Sequence, residues 1–381
     1  MPWAILCFGA SVVAEFARFP GLEPRGAAKL ADVALHRPAS AAAALAPRLK
    51  LHSTATIPSP TGAPSAHAST LAAFADDELL AYWWAGTRES APDVAIYAAR
   101  WRQGRWSAAQ RVMTREALAA QLGFGVRRLG NPAVWMAPDG RVHLYVVATG
   151  LGGWAASRVV HLISHDRGER FRAQRVLPLT PLLNTSVLVR TRPVALDDGG
   201  WLLPAYFELG NKFPLLIAFD AQGTPQWTRR IGRSTASLQP ALLPLSATRL
   251  RALMRDNGAQ ARLQQATSQD AGATWRDEPA GELINHDNSI AALRLAPEGF
   301  VMVHNDALPA PATPRQWLRI STSADGEHWS AAENVRIGAQ GEEFSYPSVQ
   351  QIGTRLHVTY TDQRRAIGHS VYDILPEAGA P

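Results

Sequence analysis

The sequence is poor in cysteine and lysine. Cys7 is the single cysteine among 381 residues, which excludes an internal disulfide and a cysteine-based zinc site. The eleven histidines show no metal-ligand spacing such as H-E-x-x-H, so we expect no metal site. No organic cofactor is implied either. Of the 38 basic residues only Lys29, Lys50 and Lys212 are lysines, and the rest are arginines.

Basic runs and long apolar runs are also missing. The net charge of +6 comes from dispersed arginines, and no run of basic residues that would track phosphates occurs, so nucleic-acid binding is not expected. The planar guanidinium group of arginine can form two hydrogen bonds with a carboxylate, which favours an anionic partner. Residues 2–19 are apolar except for Glu15 and Arg18, but this stretch is short for a membrane span and lacks a basic start.

Two interpretations of the N-terminus stay open: a remnant of an export or anchor segment, or an extension without a targeting role. The first favours an extracytoplasmic location, periplasmic or N-terminally anchored, with membrane contact only through this segment. Residues 20–48 contain four prolines and an alanine run, which is typical of a linker. We therefore predict an N-terminal extension over residues 1–48 and one domain over residues 49–376.

A short motif repeats along the chain. Residues 268–275 read S-x-D-x-G-x-T-W, and weaker copies surround Asp166, Asp220 and Asp325. Together with Asp270 these are four aspartates, and they are spaced by 54, 50 and 55 residues, a period typical of a β-propeller. Aspartate caps tight turns and glycine supplies the positive φ that they need, so we interpret the motif as a hairpin element without a catalytic role.

The segments between the motifs predict an all-β fold, a six-bladed β-propeller. Five units can be divided into four short strands each, whereas the last unit has three, over residues 346–351, 356–360 and 368–372. Residues 50–57 alternate as a strand does. We predict that this N-terminal strand completes the last blade and closes the ring, because closure removes a free sheet edge.

These motifs resemble the sialidase superfamily, and more closely its bacterial sialidase-like members, the predicted neuraminidases with BNR Asp-box repeats. The resemblance covers about residues 50–375. Apart from the Asp boxes, it rests on residues 79–89, 91–96, 130–132, 238–242 and 344–347. It implies the six-bladed propeller and a carbohydrate-cleaving activity.

The resemblance also implies site residues. Sialidases hold a substrate carboxylate with three arginines, use an aspartate as acid/base, and attack with a tyrosine assisted by a glutamate. By position, Asp93 matches the acid/base and Tyr346 the nucleophile. Arg255 and Arg315 match two arginines of the triad, and Arg88, shortly before Asp93, matches a substrate contact.

Two positions depart from the family pattern. His67 stands where the first triad arginine is expected, and Gln239 stands where the glutamate is expected. Glutamine cannot accept the tyrosine proton, and Glu208 and Glu343 are the nearby carboxylates that could replace the base. Histidine titrates near pH 6.5, so we assign His67 a catalytic role and expect a limb of the activity profile near that pH.

Polar residues at the starts of inner strands form a further group. Asn131, Gln239 and Asn288 are predicted to line the channel mouth as substrate contacts, with hydrogen bonding along the propeller axis as the alternative. The leading interpretation is an exo-glycosidase acting on a terminal acidic sugar. The alternatives are a lyase on uronate-linked glycans that uses His67 and Tyr346, and a glycan-binding propeller without catalysis. A carbohydrate is the expected partner, and no stable protein partner is implied.

Overall fold

The structure is a computed structural model that describes residues 29–30, 46–74, 77–179, 184–297, 299–306, 314–330 and 332–375. The segment on which the targeting interpretation rests, residues 2–19, lies outside these ranges. Among the described residues, no helix has both the length and the apolar character needed to cross a membrane.

Six antiparallel sheets form the blades of a propeller, as the sequence predicted. Blade 1 contains β2 (Ser65–Phe74), β3 (Glu78–Gly86), β4 (Ala95–Arg102), β5 (Arg105–Trp106) and β6 (Gln110–Met113). Blade 2 contains β7 (Arg128–Met136), β8 (Val142–Thr149), β9 (Ser157–Ser164) and β10 (Arg172–Val176). Blade 3 contains β11 (Val187–Val189), β12 (Val194–Ala195), β13 (Trp201–Phe207), β14 (Phe213–Phe219) and β15 (Pro225–Arg230).

The remaining three blades follow the same order along the chain. Blade 4 contains β16 (Ser237–Pro244), β17 (Leu250–Asp256), β18 (Gln264–Ser268) and β19 (Arg276–Glu278). Blade 5 contains β20 (Ala291–Arg294), β21 (Phe300–Asn305), β22 (Trp317–Ser323) and β23 (Glu333–Ile337). Blade 6 contains β24 (Phe344–Ile352), β25 (Arg355–Asp362), β26 (Ala366–Leu375) and β1 (Arg48–Pro58).

Strand β1 closes the ring. It pairs antiparallel with β26, from Arg48 opposite Leu375 to Pro58 opposite Ala366. The side chain of Ile57 is 1% exposed and packs between blades 6 and 1. The predicted closure is confirmed, and a strand from the start of the domain covers the edge that β26 would otherwise expose.

Part of the predicted extension packs on the propeller. Leu30 is buried against blades 3 and 4, and its backbone N–H donates to the carbonyl of Ala247 at 2.8 Å. The N–H of Asp197 donates in turn to the carbonyl of Lys29 at 2.9 Å. The predicted boundary at residue 48 therefore separates these two residues from the domain on which they pack.

One short helix lies between blades 1 and 2 and was not part of the sequence prediction. Helix α1 (Arg115–Leu122) begins after Thr114, whose hydroxyl accepts a hydrogen bond from the N–H of Ala117 at 3.1 Å. It ends at Gly123, which has a φ of 74° and so adopts the left-handed conformation that glycine accommodates readily.

The Asp-box turns lie between the third and fourth strands of their blades. Asp270 accepts hydrogen bonds from the N–H of Thr274 at 2.8 Å and from the hydroxyl of Ser268 at 2.7 Å. Gly272, with a φ of 94°, donates its N–H to the Ser268 hydroxyl at 2.8 Å. The motif is thus a self-contained turn, on the face opposite the starts of the inner strands, because successive strands alternate in direction.

Candidate active site

Bulges in the inner strands shape the mouth of the channel. Blades 1, 2, 4 and 6 share a register shift two or three residues into the inner strand. Three residues in these bulges have a positive φ: Ala68 at 60°, Gln239 at 50° and Tyr346 at 52°. Non-glycine residues rarely adopt this conformation, and where they do it is commonly near a functional site. The bulges thus fix Gln239 and Tyr346 on the same face of the ring.

Tyr346 lies at the centre of the resulting site. Its hydroxyl accepts a hydrogen bond from Nη1 of Arg255 at 3.1 Å. The centroid of its ring is 4.1 Å from that of His67. The guanidinium carbons of Arg190 and Arg315 lie 5.2 and 5.4 Å from the ring centroid, within the range of a cation–π contact. Blades 1, 3, 4, 5 and 6 thereby converge on one aromatic side chain.

The surrounding guanidinium groups are held by carboxylates. Nε of Arg255 donates to Asp287 at 2.6 Å. Glu343 accepts from Nη1 of Arg315 at 3.1 Å and from Nε of Arg364 at 3.0 Å, so one carboxylate joins two arginines. We call Arg190, Arg255, Arg315 and Arg364 the arginine cluster. Each of its ion-paired members keeps an Nη2 group with no hydrogen bond to a described residue.

A cavity of about 380 Å³ opens beside this cluster, in the size range of small-molecule sites. Its lining includes Asp287, Asn288, Arg315 and Glu343. Oδ1 of Asn288 accepts from Nε of Arg315 at 3.1 Å, and Nδ2 donates to the carbonyl of Pro314 at 2.8 Å. Asn288 therefore holds Arg315 in position at the cavity wall.

The environment of Tyr346 favours its phenolate. Burial alone would raise the pKa of Tyr346, but the charges of Arg255 and Arg315 and hydrogen bonds with Gln239 and Arg255 outweigh it and hold the pKa below the usual value of 10.0. A tyrosine of this kind can attack a carbon or release its proton more readily than an ordinary one.

Gln239 lies close to both Tyr206 and Tyr346. Its Nε2 donates to the hydroxyl of Tyr206 at 3.3 Å, and its Oε1 is buried without a hydrogen-bond partner among the described residues. Burial raises the pKa of Tyr206, so this second phenol stays protonated. Burial also raises the pKa of Glu208, against the opposing charges of Arg255 and Lys212. Of the two carboxylates considered as a base, Glu208 makes no ion pair with a described residue, whereas Glu343 is engaged by two arginines.

The pKa of His67 differs from the value near 6.5 that was expected for a histidine. Its side chain is 2% exposed, and Nδ1 has no hydrogen-bond partner in the described structure. Burial and the charges of the arginine cluster hold the pKa of His67 well below 6.5. The imidazole is therefore neutral at physiological pH, and the predicted limb near pH 6.5 cannot come from it. A neutral imidazole can still accept a proton or a hydrogen bond.

Asp93 and Arg88 lie on the loop after β3, on the same face as the cluster. The carboxylate of Asp93 accepts hydrogen bonds from the N–H of Thr87, at 2.8 Å, and from its hydroxyl. These bonds hold the pKa of Asp93 below its usual value. Glu89 of the same loop pairs with Arg364, which connects the loop to the cluster. Neither Asp93 nor Arg88 hydrogen-bonds to Tyr346 or His67.

Asn131 stands apart from the other predicted contacts. It lies in the bulge of blade 2 and makes no hydrogen bond to a described residue of the cluster. Four residues that the sequence did not single out belong to the site instead: Arg190, Tyr206, Asp287 and Arg364. None carries a local motif, because their roles depend on contacts with other blades. Among the described residues, no three His, Cys, Asp or Glu side chains form a group that could hold a metal ion.

Residues 77–358 match the model of the BNR repeat-like domain, which is most of the propeller. The chain belongs to the BNR repeat-like domain family. A search of curated proteins found no significant match to this chain.

Solved structures share the fold of this BNR repeat-like chain at low sequence identity. A protein of unknown function from Dyadobacter fermentans is 14% identical with a TM-score of 0.68, over 86% of this chain and 99% of its own. The NanB sialidase of Streptococcus pneumoniae is 11% identical with a TM-score of 0.64, over 83% and 69%. The Trypanosoma rangeli sialidase in complex with sialic acid is 14% identical with a TM-score of 0.62, over 84% and 57%. The likeness shows a sialidase-like fold.

Proposed function

We propose that this protein is a glycoside-cleaving enzyme that acts on a terminal acidic sugar. The observation that carries the proposal is the convergence of Arg255 and Arg315 on Tyr346, with Arg364 joined to Arg315 through Glu343, beside an open cavity. The cavity suits a ligand of sugar size, and guanidinium groups bind carboxylates through two parallel hydrogen bonds. Arg364 supplies a third guanidinium where His67 replaces the arginine expected from the family pattern.

The free donors suit a substrate carboxylate. Arg255, Arg315 and Arg364 use only Nε and Nη1 in their hydrogen bonds with the described residues. Their Nη2 groups are left to bind an anion without breaking the ion pairs to Asp287 and Glu343. The internal carboxylates thus fix the arginines, and the outer donors would recognise the ligand.

In the hydrolytic mechanism, the phenolate oxygen of Tyr346 attacks the anomeric carbon while the glycosidic C–O bond breaks. A tyrosine suits a carbon that carries a carboxylate, because a neutral or charge-compensated nucleophile meets less repulsion than an aspartate would. The leaving oxygen requires a proton, for which Asp93 is the proposed acid. Because hydrogen bonds from Thr87 keep Asp93 ionised in the free protein, substrate binding has to raise its pKa. Water then cleaves the tyrosyl intermediate.

The neutral state of His67 supports a second candidate, a lyase acting on uronate-linked glycans. In that reaction the imidazole of His67 takes the proton from C5, the C4–O bond breaks to leave a C4=C5 double bond, and the phenol of Tyr346 gives its proton to the leaving oxygen. Buried neutral His67 suits the base, and the lowered pKa of Tyr346 suits the acid. Arginines on the uronate carboxylate would stabilise the charge that forms at C5.

Product analysis tests both candidates. The purified protein is incubated with aryl sialosides, aryl uronides and uronate-containing oligosaccharides, and new reducing ends and the ultraviolet absorbance of an unsaturated uronate are followed. Reducing ends without new absorbance support the glycosidase, and equal amounts of both support the lyase. Either activity should be lost in Tyr346→Phe and greatly weakened in Arg315→Met, but kept in Arg276→Met, whose side chain is 80% exposed in blade 4. Binding without turnover on every substrate would refute both and support a glycan-binding propeller.

A further inference from the structure

A second cavity opens at the end of blade 2. It lies between residues 123–127, which precede β7, and residues 150–156, which follow β8. Its volume is about 520 Å³, in the size range of small-molecule sites. It shares no lining residue with the cavity beside Arg315, and blade 2 contributes no member of the arginine cluster. It is therefore a separate cavity, although both lie at the end of the blades where the inner strands start.

Apolar side chains form much of the cavity wall. Val126 and Val160 are buried, whereas Phe124 and Leu151 are 42% and 76% exposed. Large apolar side chains that are exposed beside one another often mark a groove that binds a ligand. The wall therefore favours a ligand with an apolar body.

Two arginines supply the charge of the cavity wall. Arg127 is exposed and Arg158 is half-buried, so solvent reaches both. Neither guanidinium group forms a hydrogen bond or an ion pair with a residue that the structure describes. The guanidinium carbon of Arg158 lies 5.8 Å from the centroid of the Phe124 ring, within the range of a cation–π contact. Among the described lining residues there is no aspartate or glutamate, so the wall complements an anion, and a guanidinium suits a carboxylate best.

The fold holds the two sides of the cavity in place. The N–H of Arg127 donates to the carbonyl of Thr149 at 2.8 Å, which joins the segments on either side. Helix α1, which leads into residues 123–127, is tied to β10 because the N–H of Ala173 donates to Oε1 of Gln121 at 2.7 Å. The cavity is thus largely preformed, and a ligand would not have to order its walls.

We propose that this cavity is a binding site for an aromatic carboxylate, with its ring on Phe124 and its carboxylate on Arg127 and Arg158. A ring suits this wall better than a flexible chain, because it can stack on Phe124 and loses little conformational freedom on binding. The proposal does not rest on the proposed catalytic function, and a ligand bound here leaves the cavity at Arg315 free.

Isothermal titration calorimetry with 2-naphthoate tests the site. The comparison ligands are 2-naphthamide, which keeps the ring without the charge, and acetate, which keeps the charge without the ring. Both should bind at least about tenfold more weakly than 2-naphthoate. Arg158→Met should weaken binding of 2-naphthoate about tenfold, whereas Arg315→Met should keep this site. Equal binding of 2-naphthamide would overturn the proposal, and so would binding that is lost in Arg315→Met but unchanged in Arg158→Met.

Gly125 offers a blocking variant that leaves both arginines in place and serves should Arg158→Met fail to fold. It lines the cavity, its φ lies outside the left-handed region, and a Cβ added there would meet no atom within 4 Å. Gly125→Trp should therefore be accommodated and should abolish binding of 2-naphthoate by filling the cavity. Gly125→Ala is the matched control and should keep it. Undiminished binding in Gly125→Trp would refute the site.

Crystals soaked in 6-bromo-2-naphthoate locate the ligand. We expect an anomalous bromine peak beside Phe124, with the carboxylate at Arg158, and no such peak in Gly125→Trp. A peak that appears only beside Arg255 and Arg315 would refute the proposal.

Discussion

At the scale of single residues, Tyr346 differs from the other tyrosines of the chain. Burial raises the pKa of five of them, which are Tyr82, Tyr145, Tyr206, Tyr360 and Tyr372. Tyr346 is partly buried, and there two arginine charges outweigh the effect of burial and reverse the direction of its pKa shift. Position relative to charge, more than burial, therefore decides which phenol is reactive.

This difference predicts a distinct step in a spectrophotometric titration. As pH rises, the first tyrosinate absorbance among the buried phenols should come from Tyr346, below its ordinary pKa of 10.0. Tyr346→Phe should remove that step, and Arg315→Met should move it to higher pH because one stabilising charge is lost. Tyr206→Phe is the matched control and should leave it nearly in place. A titration in which Tyr346→Phe changes nothing below pH 10 would contradict the assignment.

Arg190 is predicted to be a stability determinant. Arg190→Met removes hydrogen bonds to the carbonyls of Ser69, Tyr346 and Pro347 and leaves those acceptors on the axis unsatisfied. We expect the free energy of unfolding to fall by about 2–4 kcal/mol, measured by denaturant titration. The exposed Arg276→Met should stay within about 0.5 kcal/mol of wild type. Equal stability of the two variants would show that the hydrogen bonds of Arg190 across the channel do not stabilise the fold.

At the scale of elements, local patterns were sufficient for the blades but not for the bulges. The turn motif around Asp270 and the alternation over residues 50–57 are carried by neighbours in sequence, so the six blades and the closing strand β1 could be predicted. The bulge at Tyr346 and the similar one at Gln239 depend on what lies across the channel, and the sequence contains no glycine there to indicate a positive φ. Helix α1 was also not predicted, although Thr114 and Gly123 flank it as capping residues.

The closing strand gives a prediction at this scale. Removing residues 1–58 exposes the edge of β26 over ten residues and uncovers the contacts of Ile57. We expect a Tm lower by several degrees and concentration-dependent association, because a free edge pairs with other chains. Size-exclusion chromatography and thermal unfolding measure both.

The matched control removes residues 1–28 and keeps β1 with Leu30. Its Tm and its elution volume should equal those of the full chain. A monomeric, fully stable protein lacking residues 1–58 would show that ring closure by β1 contributes little.

At the scale of the whole molecule, the site is an assembly of distant residues. His67, Arg190, Arg255, Arg315 and Tyr346 come from five blades and meet only when the ring is closed. The sequence resemblance indicated all of these except Arg190, because the other four lie in or beside short sequence motifs that match the family. Arg190 and Arg364 lack such motifs, and their partners include Ser69 and Glu89, which lie 121 and 275 positions away in the chain.

Buried histidines make the whole fold sensitive to acid. Two stacked pairs occupy the second and third strands of blades 2 and 6: His143 Nδ1 lies 2.8 Å from His161 Nε2, and His357 Nδ1 lies 3.1 Å from His369 Nε2. Burial lowers the pKa of His143 and His357 to about 4 and that of His369 to about 3. The folded protein therefore keeps these imidazoles neutral under conditions in which the unfolded chain protonates them.

The direction of the pH dependence follows from proton counting. Below pH 6.5 the unfolded chain binds protons that the folded protein does not, so the free energy of unfolding falls as pH falls toward about 4. Each histidine with a folded pKa of about 4 accounts for at most about 3 kcal/mol of this loss. Denaturant titrations between pH 7 and pH 4 should show the decline. His143→Gln should flatten it relative to wild type, whereas the exposed His165→Gln should not. A wild-type stability that stays constant across this range would contradict the neutral, buried state of the pairs.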